Sequence, residues 1–136
     1  MGIALFRHIL EQLPQALLEN FDIEILEKHH NKKVDAPSGT AKMLLAALDP
    51  EHEKRVVTGR EGMCGARTKD EIGVMALRGG TVAGEHTVYL FGEDETLSIT
   101  HTASSRRIFA AGAVNAAIAL AGRDKGWYQL DDILFR

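Results

Sequence analysis

Apolar residues recur along the first stretch of the chain at spacings of three and four. Ile3, Phe6, Leu10, Leu13 and Leu17 fall on one helical face, so residues 2–18 predict an amphipathic helix. Pro14 lies inside that stretch and lacks a backbone donor, which predicts a kink or a restart. The period then changes to two. Phe21, Ile23 and Ile25 alternate with Asp22 and Glu24, which predicts a strand running into "EKHH". The segment "DAPSGTAKMLLAAL" reads as a turn entering a helix. Asp35 and Ser38 are capping types, Pro37 suits a first turn, and Leu44, Ala47 and Leu48 form the apolar face before Pro50 stops it.

Residues 49–70 are polar and contain glycine, which predicts a long loop with a short strand near Val56. Loops of that length in compact domains tend to be functional or mobile. Three further strands are expected at 72–78, 85–91 and 96–103, running antiparallel, with "GEDE" as the hairpin loop between the last two. The Ala-rich stretch "SSRRIFAAGAVNAAIALAG" predicts a helix capped by Ser104 or Ser105, with Gly122 just past its end. A short tail with aromatic and aliphatic anchors, "GWYQLDDILF", follows.

This order predicts an α+β fold: a single mixed or antiparallel sheet of about four strands with helices on one face. The other face would carry Val, Leu, Ile and Tyr into solvent, so it is expected to pack on another subunit. The 136 residues suit one domain. There is no internal repeat, and no Gly-x-Gly-x-x-Gly follows a strand, so no dinucleotide-binding fold is expected within these residues.

Composition narrows the function classes. Apolar residues make up 45% and charged residues 26%, which is ordinary globular usage. Sixteen Lys and Arg against nineteen Asp and Glu give a net charge of −3, so nothing global favours nucleic acid or an acidic membrane surface. Cys64 is the only cysteine, which excludes a disulfide framework and a Cys-based zinc site. The opening "MGIALFRHIL" lacks the features of a signal peptide, and no apolar run approaches the roughly 20 residues of a membrane span. A cytoplasmic chain is the expectation.

Chemistry concentrates in "EKHHNKKVDAPSGTA", residues 27–41. His29 continues the Ile23/Ile25 side of the strand, whereas His30 points the other way until the strand ends, so the pair is not expected to chelate a metal. Lys32 and Lys33 follow, and Ser38, Gly39 and Thr40 sit where a helix begins. The first N–H groups of a helix have no internal partner and carry partial positive charge. Gly39 admits a ligand close to the backbone, and the Thr40 hydroxyl adds a donor. An ammonium opposite such a nest makes a site for a carboxylate or phosphate. A histidine beside it suits a general acid or base. The same residues also fit a capped helix with solvated charges, and the pattern by itself leaves both open.

The run Glu27-x-His29-His30-x-x-Lys33-x-Asp35-Ala36-Pro37-Ser38-Gly39-Thr40-Ala41 resembles the signature of the 4-hydroxy-tetrahydrodipicolinate (dihydrodipicolinate) reductase family, of lysine and diaminopimelate biosynthesis. "REG", "IGVMALRGGTVAGEHTVYLF" and "LSITHTASSRRIFAAGAVNAA" resemble further family segments, so the likeness covers nearly the whole chain. It implies a substrate-binding and tetramerisation domain. The family's N-terminal Rossmann domain has no counterpart within these residues, and "MGIALF" resembles the helix just after it. The stretch 105–136 would be the helix and tail that return to the nucleotide domain. By the same resemblance, His29 is the acid/base residue, and Lys33 holds a substrate carboxylate and is a second proton donor. His30, Gly39 and Thr40 contact the substrate, a nitrogen ring with two carboxylates. Arg106 and Phe109 lie where the family brings the nicotinamide of NADH or NADPH near, although a helix-start salt bridge and a core Phe fit them equally. His86 and His101 read as structural histidines, and Glu85 as a residue that orients a neighbour.

The resemblance implies a homotetramer with NAD(P)H-dependent reductase activity. The chain by itself is expected to bind no cofactor and to be inactive. Two rivals belong to other classes: a catalytically silent dicarboxylate-binding or regulatory module, and a pure oligomerisation domain.

Overall fold

Pro14 decides how the first amphipathic stretch folds. In the computed structural model, which describes residues 1–135, helix α1 spans Gly2–Glu11 and a short α2 restarts at Gln15–Leu18. The restart turns the apolar face. Phe6 and Leu10 are buried as the spacing predicts, but Leu18 is buried in place of Leu17, which is 51% exposed.

Strand β1 (Asp22–His29) leads through a loop into α3 (Gly39–Leu48), followed by the three-residue β2 (Arg55–Val57), β3 (Glu71–Arg78), β4 (Glu85–Phe91) and β5 (Thr96–Thr102). The Ser38 side chain caps α3 by accepting from the Ala41 N–H at 3.1 Å. Pro37 stands just before that cap rather than in the first turn, and Asp35 pairs with Lys33 instead of capping. The sheet has five strands in the order β2-β3-β1-β4-β5, so the α+β expectation of one mixed sheet holds with one strand more.

The three later strands alternate in direction as expected, but β3 and β4 are not neighbours: β1 lies between them, and β3 pairs with β1 in parallel, Ile25 opposite Val74. The cause is the connection: α3 and the long loop make a crossover from β1 to β3, and crossovers return the chain in the same direction. β1–β4 and β4–β5 are antiparallel.

Alternation along the strands assigns the two faces. Ile23, Ile25, Ile72, Val74, Val88 and Leu90 point under α1 and α3, meeting Phe6, Leu10, Leu44 and Leu48. Leu10, Ile25, Leu44 and Ile72 are essentially inaccessible, and each such side chain contributes about 1.5–3 kcal/mol of burial. β1 is therefore central twice over, as the middle strand and as the floor of the core.

The opposite face is crossed by the loop after β2. Arg60 reaches Glu24 at 2.8 and 3.2 Å and Glu71 at 2.8 Å, while Arg67 bonds Glu24 at 2.9 Å and the Ile23 and Glu71 carbonyls at 3.0 and 2.8 Å. The loop is thus pinned at both ends, and residues 61–66, including Cys64, are its exposed tip. Burial alone raises the Glu24 carboxyl, but the bonds from Arg60 and Arg67 outweigh it and hold the group below the usual range. Gly73 makes the clasp possible, because a Cβ there would stand 1.8 Å from a Glu24 carboxylate oxygen. Beyond the loop the face stays open, with Leu77 52% and Phe91 41% exposed and Tyr89 stacked on Phe91.

Helix α4 (Arg107–Leu120) buries none of its side chains. The cap position is Arg106, which makes no side-chain cap bond, rather than Ser104 or Ser105; the Ser105 hydroxyl accepts from the Arg107 N–H at 3.2 Å one residue before the cap. α4 meets α5 (Leu130–Leu134), which an Arg7–Asp131 ion pair ties to α1.

Gly73→Ala is expected to cost about 1–3 kcal/mol and to lower Tm by about 5 °C or more, because the Glu24 carboxylate must leave its arginines. On a Glu24→Ala background the same substitution should cost much less. Thermal unfolding of the four proteins checks this, and an equal penalty in both backgrounds contradicts it.

Candidate active site

β1 delivers the site at its C-terminal end. The Glu27-x-His29 spacing puts both side chains on the core side of the strand, past the last apolar residue, Ile25. The strand continues to His29, whose carbonyl accepts from the Gly79 N–H at 3.0 Å. The chain then turns, with the Lys33 N–H donating to the His30 carbonyl at 3.2 Å, and climbs to α3. Because β1 ends at His29, the alternation that would send His30 to the far face no longer applies. Both histidines line one cleft.

That cleft has a volume of about 180 Å³. It brings together His29, His30, Lys33 and Thr40 with Arg106 and Phe109 from the start of α4. No carboxylate lines it. The seventh predicted residue, Gly39, opens α3 beside it, and a methyl group there would meet no atom within 4 Å. Among the described residues nothing accepts from the N–H of Gly39 or Thr40, since the Ser38 oxygens take only the Ala41 and Lys42 donors. A cleft lined by Lys33, Arg106 and Thr40 with no acidic residue, beside a helix start whose first two amides are unpaired among the described residues, suits a small anion. The Lys33 ammonium rests on the exposed Asp35 carboxylate at 2.8 Å.

Beneath the cleft lies a polar layer that the sequence patterns do not disclose. Glu27 is fully buried. One of its oxygens accepts from His29 Nδ1 at 2.6 Å and Arg78 Nη1 at 2.7 Å; the other accepts from Arg78 Nη2 and the Ser38 N–H, both at 2.9 Å. Burial pushes the Glu27 carboxyl up, but these donors outweigh it and hold the group below the usual carboxylate range. Arg78 also reaches the Asp35 carbonyl at 2.8 Å, strapping the 31–38 loop to the end of β3.

His86, directly across from Glu27 on β4, is also buried. Its Nε2 lies 2.8 Å from the Ser38 hydroxyl, and its ring meets the His29 ring edge-on at 5.1 Å. Burial, reinforced by the neighbouring His29, pushes His86 down to about 4, so it is neutral at working pH. Gly84 closes the wall: its φ of 149° is open only to glycine, and a Cβ there would approach His29 Nε2 to 3.2 Å. Glu85 faces the other side of the sheet and pairs with Lys28, away from the cleft.

The spacing of Glu27 and His29 was a usable signal for this layer. Arg78 was not, because only the parallel pairing of β1 with β3 sets it opposite His29.

The chain matches the family described as Dihydrodipicolinate reductase, C-terminus, over residues 2–134. It is 49% identical to the 4-hydroxy-tetrahydrodipicolinate reductase of Syntrophotalea carbinolica, over 98% of this chain and 52% of that protein. It is 47% identical to the reductase of the same name from Haloarcula marismortui, over 98% of this chain and 53% of that protein. A solved structure titled as a dipicolinate-bound dihydrodipicolinate reductase, from a Paenisporosarcina species, superposes with a TM-score of 0.66 at 25% identity. The overlap covers 97% of this chain and 52% of that one. The chain thus spans about half the length of the relatives it matches. It belongs to the dihydrodipicolinate reductase family and corresponds to the C-terminal part of its members.

Proposed function

We propose that this chain forms the substrate-binding and oligomer-forming half of an NAD(P)H-dependent 4-hydroxy-tetrahydrodipicolinate reductase. The single observation that carries this is the convergence of His29, Lys33, Thr40 and Arg106 on one cleft lined by no carboxylate, beside the unpaired Gly39 and Thr40 amides that open α3. The related structure with dipicolinate bound supplies the ligand class, a flat nitrogen ring flanked by two carboxylates.

In this reading one ring carboxylate sits on the Gly39 and Thr40 amides and on Lys33, which leaves Asp35 to meet it. His30 and the Thr40 hydroxyl fix its orientation. Each charge-assisted bond contributes about 1.5–3 kcal/mol once water is excluded. His29, with Nδ1 turned to Glu27, offers Nε2 to the cleft and supplies the proton on that side. Lys33 is the second proton donor.

The cationic Arg106 and the half-exposed ring of Phe109 fit the near end of a nicotinamide dinucleotide, whose chemistry is hydride donation. The rest of that cofactor would be held by a nucleotide-binding domain outside these residues, against which the exposed apolar side of α4 (Ile108, Val114, Ile118) would pack. The open sheet face around Leu77, Tyr89 and Phe91 is the proposed contact between copies, giving a homotetramer.

Titration calorimetry with pyridine-2,6-dicarboxylate is expected to show saturable binding to this chain. Lys33→Ala should weaken it about 10- to 100-fold, from the loss of one charge-assisted bond. Asp35→Asn should tighten it a few-fold by freeing the lysine. Absence of saturable binding, or indifference to both substitutions, contradicts the site. In the complete reductase, His29→Gln is expected to lower kcat about 100-fold or more while leaving affinity for the dicarboxylate within a few-fold. An unchanged kcat removes His29 from proton transfer. Light scattering should give the mass of four chains at micromolar concentration, and a monomer at all concentrations contradicts assembly through the open face.

A further inference from the structure

Glu27 has more to do than neutralise a neighbour. Its two oxygens receive four donors from three separate parts of the fold: His29 on its own strand, Arg78 at the end of β3, and the Ser38 N–H at the entrance to α3. A carboxylate so occupied, fully buried and bonded at both oxygens by one guanidinium, is an acceptor only. The His29 nitrogen 2.6 Å away must then donate, so the proton of the neutral ring is on Nδ1. Nε2 is left as the nitrogen that exchanges a proton with the cleft. The Ser38 N–H on the other oxygen places the first turn of α3, whose Gly39 and Thr40 amides are the anion nest.

We infer that Glu27 is a positioning residue that sets two functions together, the tautomer of His29 and the seat of the α3 amides, with Arg78 holding it in the acceptor-only form. The inference rests on the substrate reading above but concerns how the site is built rather than what it binds.

The charge count explains why Arg78 belongs to the unit. Glu27 and Arg78 cancel, so the buried layer is neutral when His29 is neutral and carries one positive charge when His29 is protonated. Arg78 gives the buried carboxylate a permanent cation, so Glu27 orients the His29 ring without depending on it for charge balance. His86 adds the opposite wall: neutral, bonded to the Ser38 hydroxyl, and edge-on to His29, it keeps the ring from rotating away.

The arrangement also explains the spacing between Glu27 and Ser38. The 31–38 loop must return to within 2.9 Å of the strand it left, and the Arg78 bond to the Asp35 carbonyl pulls it there. A motif that reads as a strand end, a loop and a helix cap is therefore one closed circuit around a single carboxylate.

Nitrogen-15 imidazole spectra of the ligand-free chain test this. In the wild type, His29 is expected to show a protonated Nδ1 and an unprotonated Nε2. In Glu27→Gln the side-chain oxygen turns to the Ser38 N–H and Arg78 Nη2, leaving the amide NH₂ toward His29 and Arg78 Nη1, so the two ring signals should exchange. The Ser38 amide proton should move upfield in the same variant as its acceptor loses charge. Glu27→Asp keeps a carboxylate and should keep Nδ1 protonated. Amide dispersion and Tm confirm that each variant is folded. If Glu27→Gln does not fold, the wild type decides, since a protonated Nε2 there overturns the inference. So does a Glu27→Gln spectrum with the wild-type tautomer.

In the complete reductase, Glu27→Gln should lower kcat about 100-fold with KM for the substrate within a few-fold, and Glu27→Asp should recover part of the loss. A loss confined to KM contradicts the tautomer role. Dicarboxylate binding with an unswitched ring overturns this inference alone, whereas a switched ring without dicarboxylate binding overturns the substrate reading and leaves this one standing.

Discussion

The buried carboxylate of Glu27 is the constraint on which the rest of the structure depends. A charged group with no solvent contact is costly unless every lone pair finds a donor. Here the donors are a guanidinium, an imidazole and a helix-cap amide, drawn from β1, β3 and the entry to α3. Satisfying one carboxylate therefore fixes the mutual positions of three elements. Those elements carry His29 and the free amides at the start of α3. Bonds that make the buried charge tolerable also make the cleft, so the stability of this corner and the geometry of the site have a common cause.

The fold prepares this. β1 is the middle strand, paired in parallel on one side and antiparallel on the other, and its first half is apolar where it floors the core. Only beyond Ile25 does the same face turn polar, with Glu27 and then His29. The transition happens where α3 begins rather than over its middle, so the polar residues meet helix-terminal amides instead of packed leucines. Across the sheet a second carboxylate cluster works differently. The buried Glu71 and the half-buried Glu24 hold Arg60 and Arg67 of the long loop, whose guanidinium groups stay partly exposed. The first cluster builds a site and the second ties down a loop.

Much of this was legible in the sequence where periodicity speaks. The helix break at Pro14, the alternation from Phe21 to Ile25, the Ser38 cap and the apolar face of α3 follow from local rules, and the structure carries them. His29, His30, Lys33 and Thr40 could be picked as a group because they flank one strand-to-helix turn. Partnerships across the sheet were less accessible. That β3 would insert beside β1, and so bring Arg78 against Glu27, depends on a crossover that no short-range pattern encodes. His86 looked structural and proves to be buried and hydrogen-bonded, but against the cap serine of the site itself. The choice of Leu18 over Leu17 shows the same limit on a smaller scale, since a restarted helix has a phase that the preceding period does not set.

The proposed dicarboxylate site at the strand-to-helix turn is preformed, and its seat is the pair of free amides at the start of α3. Backbone amide spectra of the nitrogen-15-labelled chain, recorded as pyridine-2,6-dicarboxylate is added, test it most directly. The expected result is saturable shifts that are largest at Gly39 and Thr40, with smaller ones at His29 and His30 and none at the 61–66 loop tip. Shifts that never saturate, or that saturate with Gly39 and Thr40 unmoved, would contradict it.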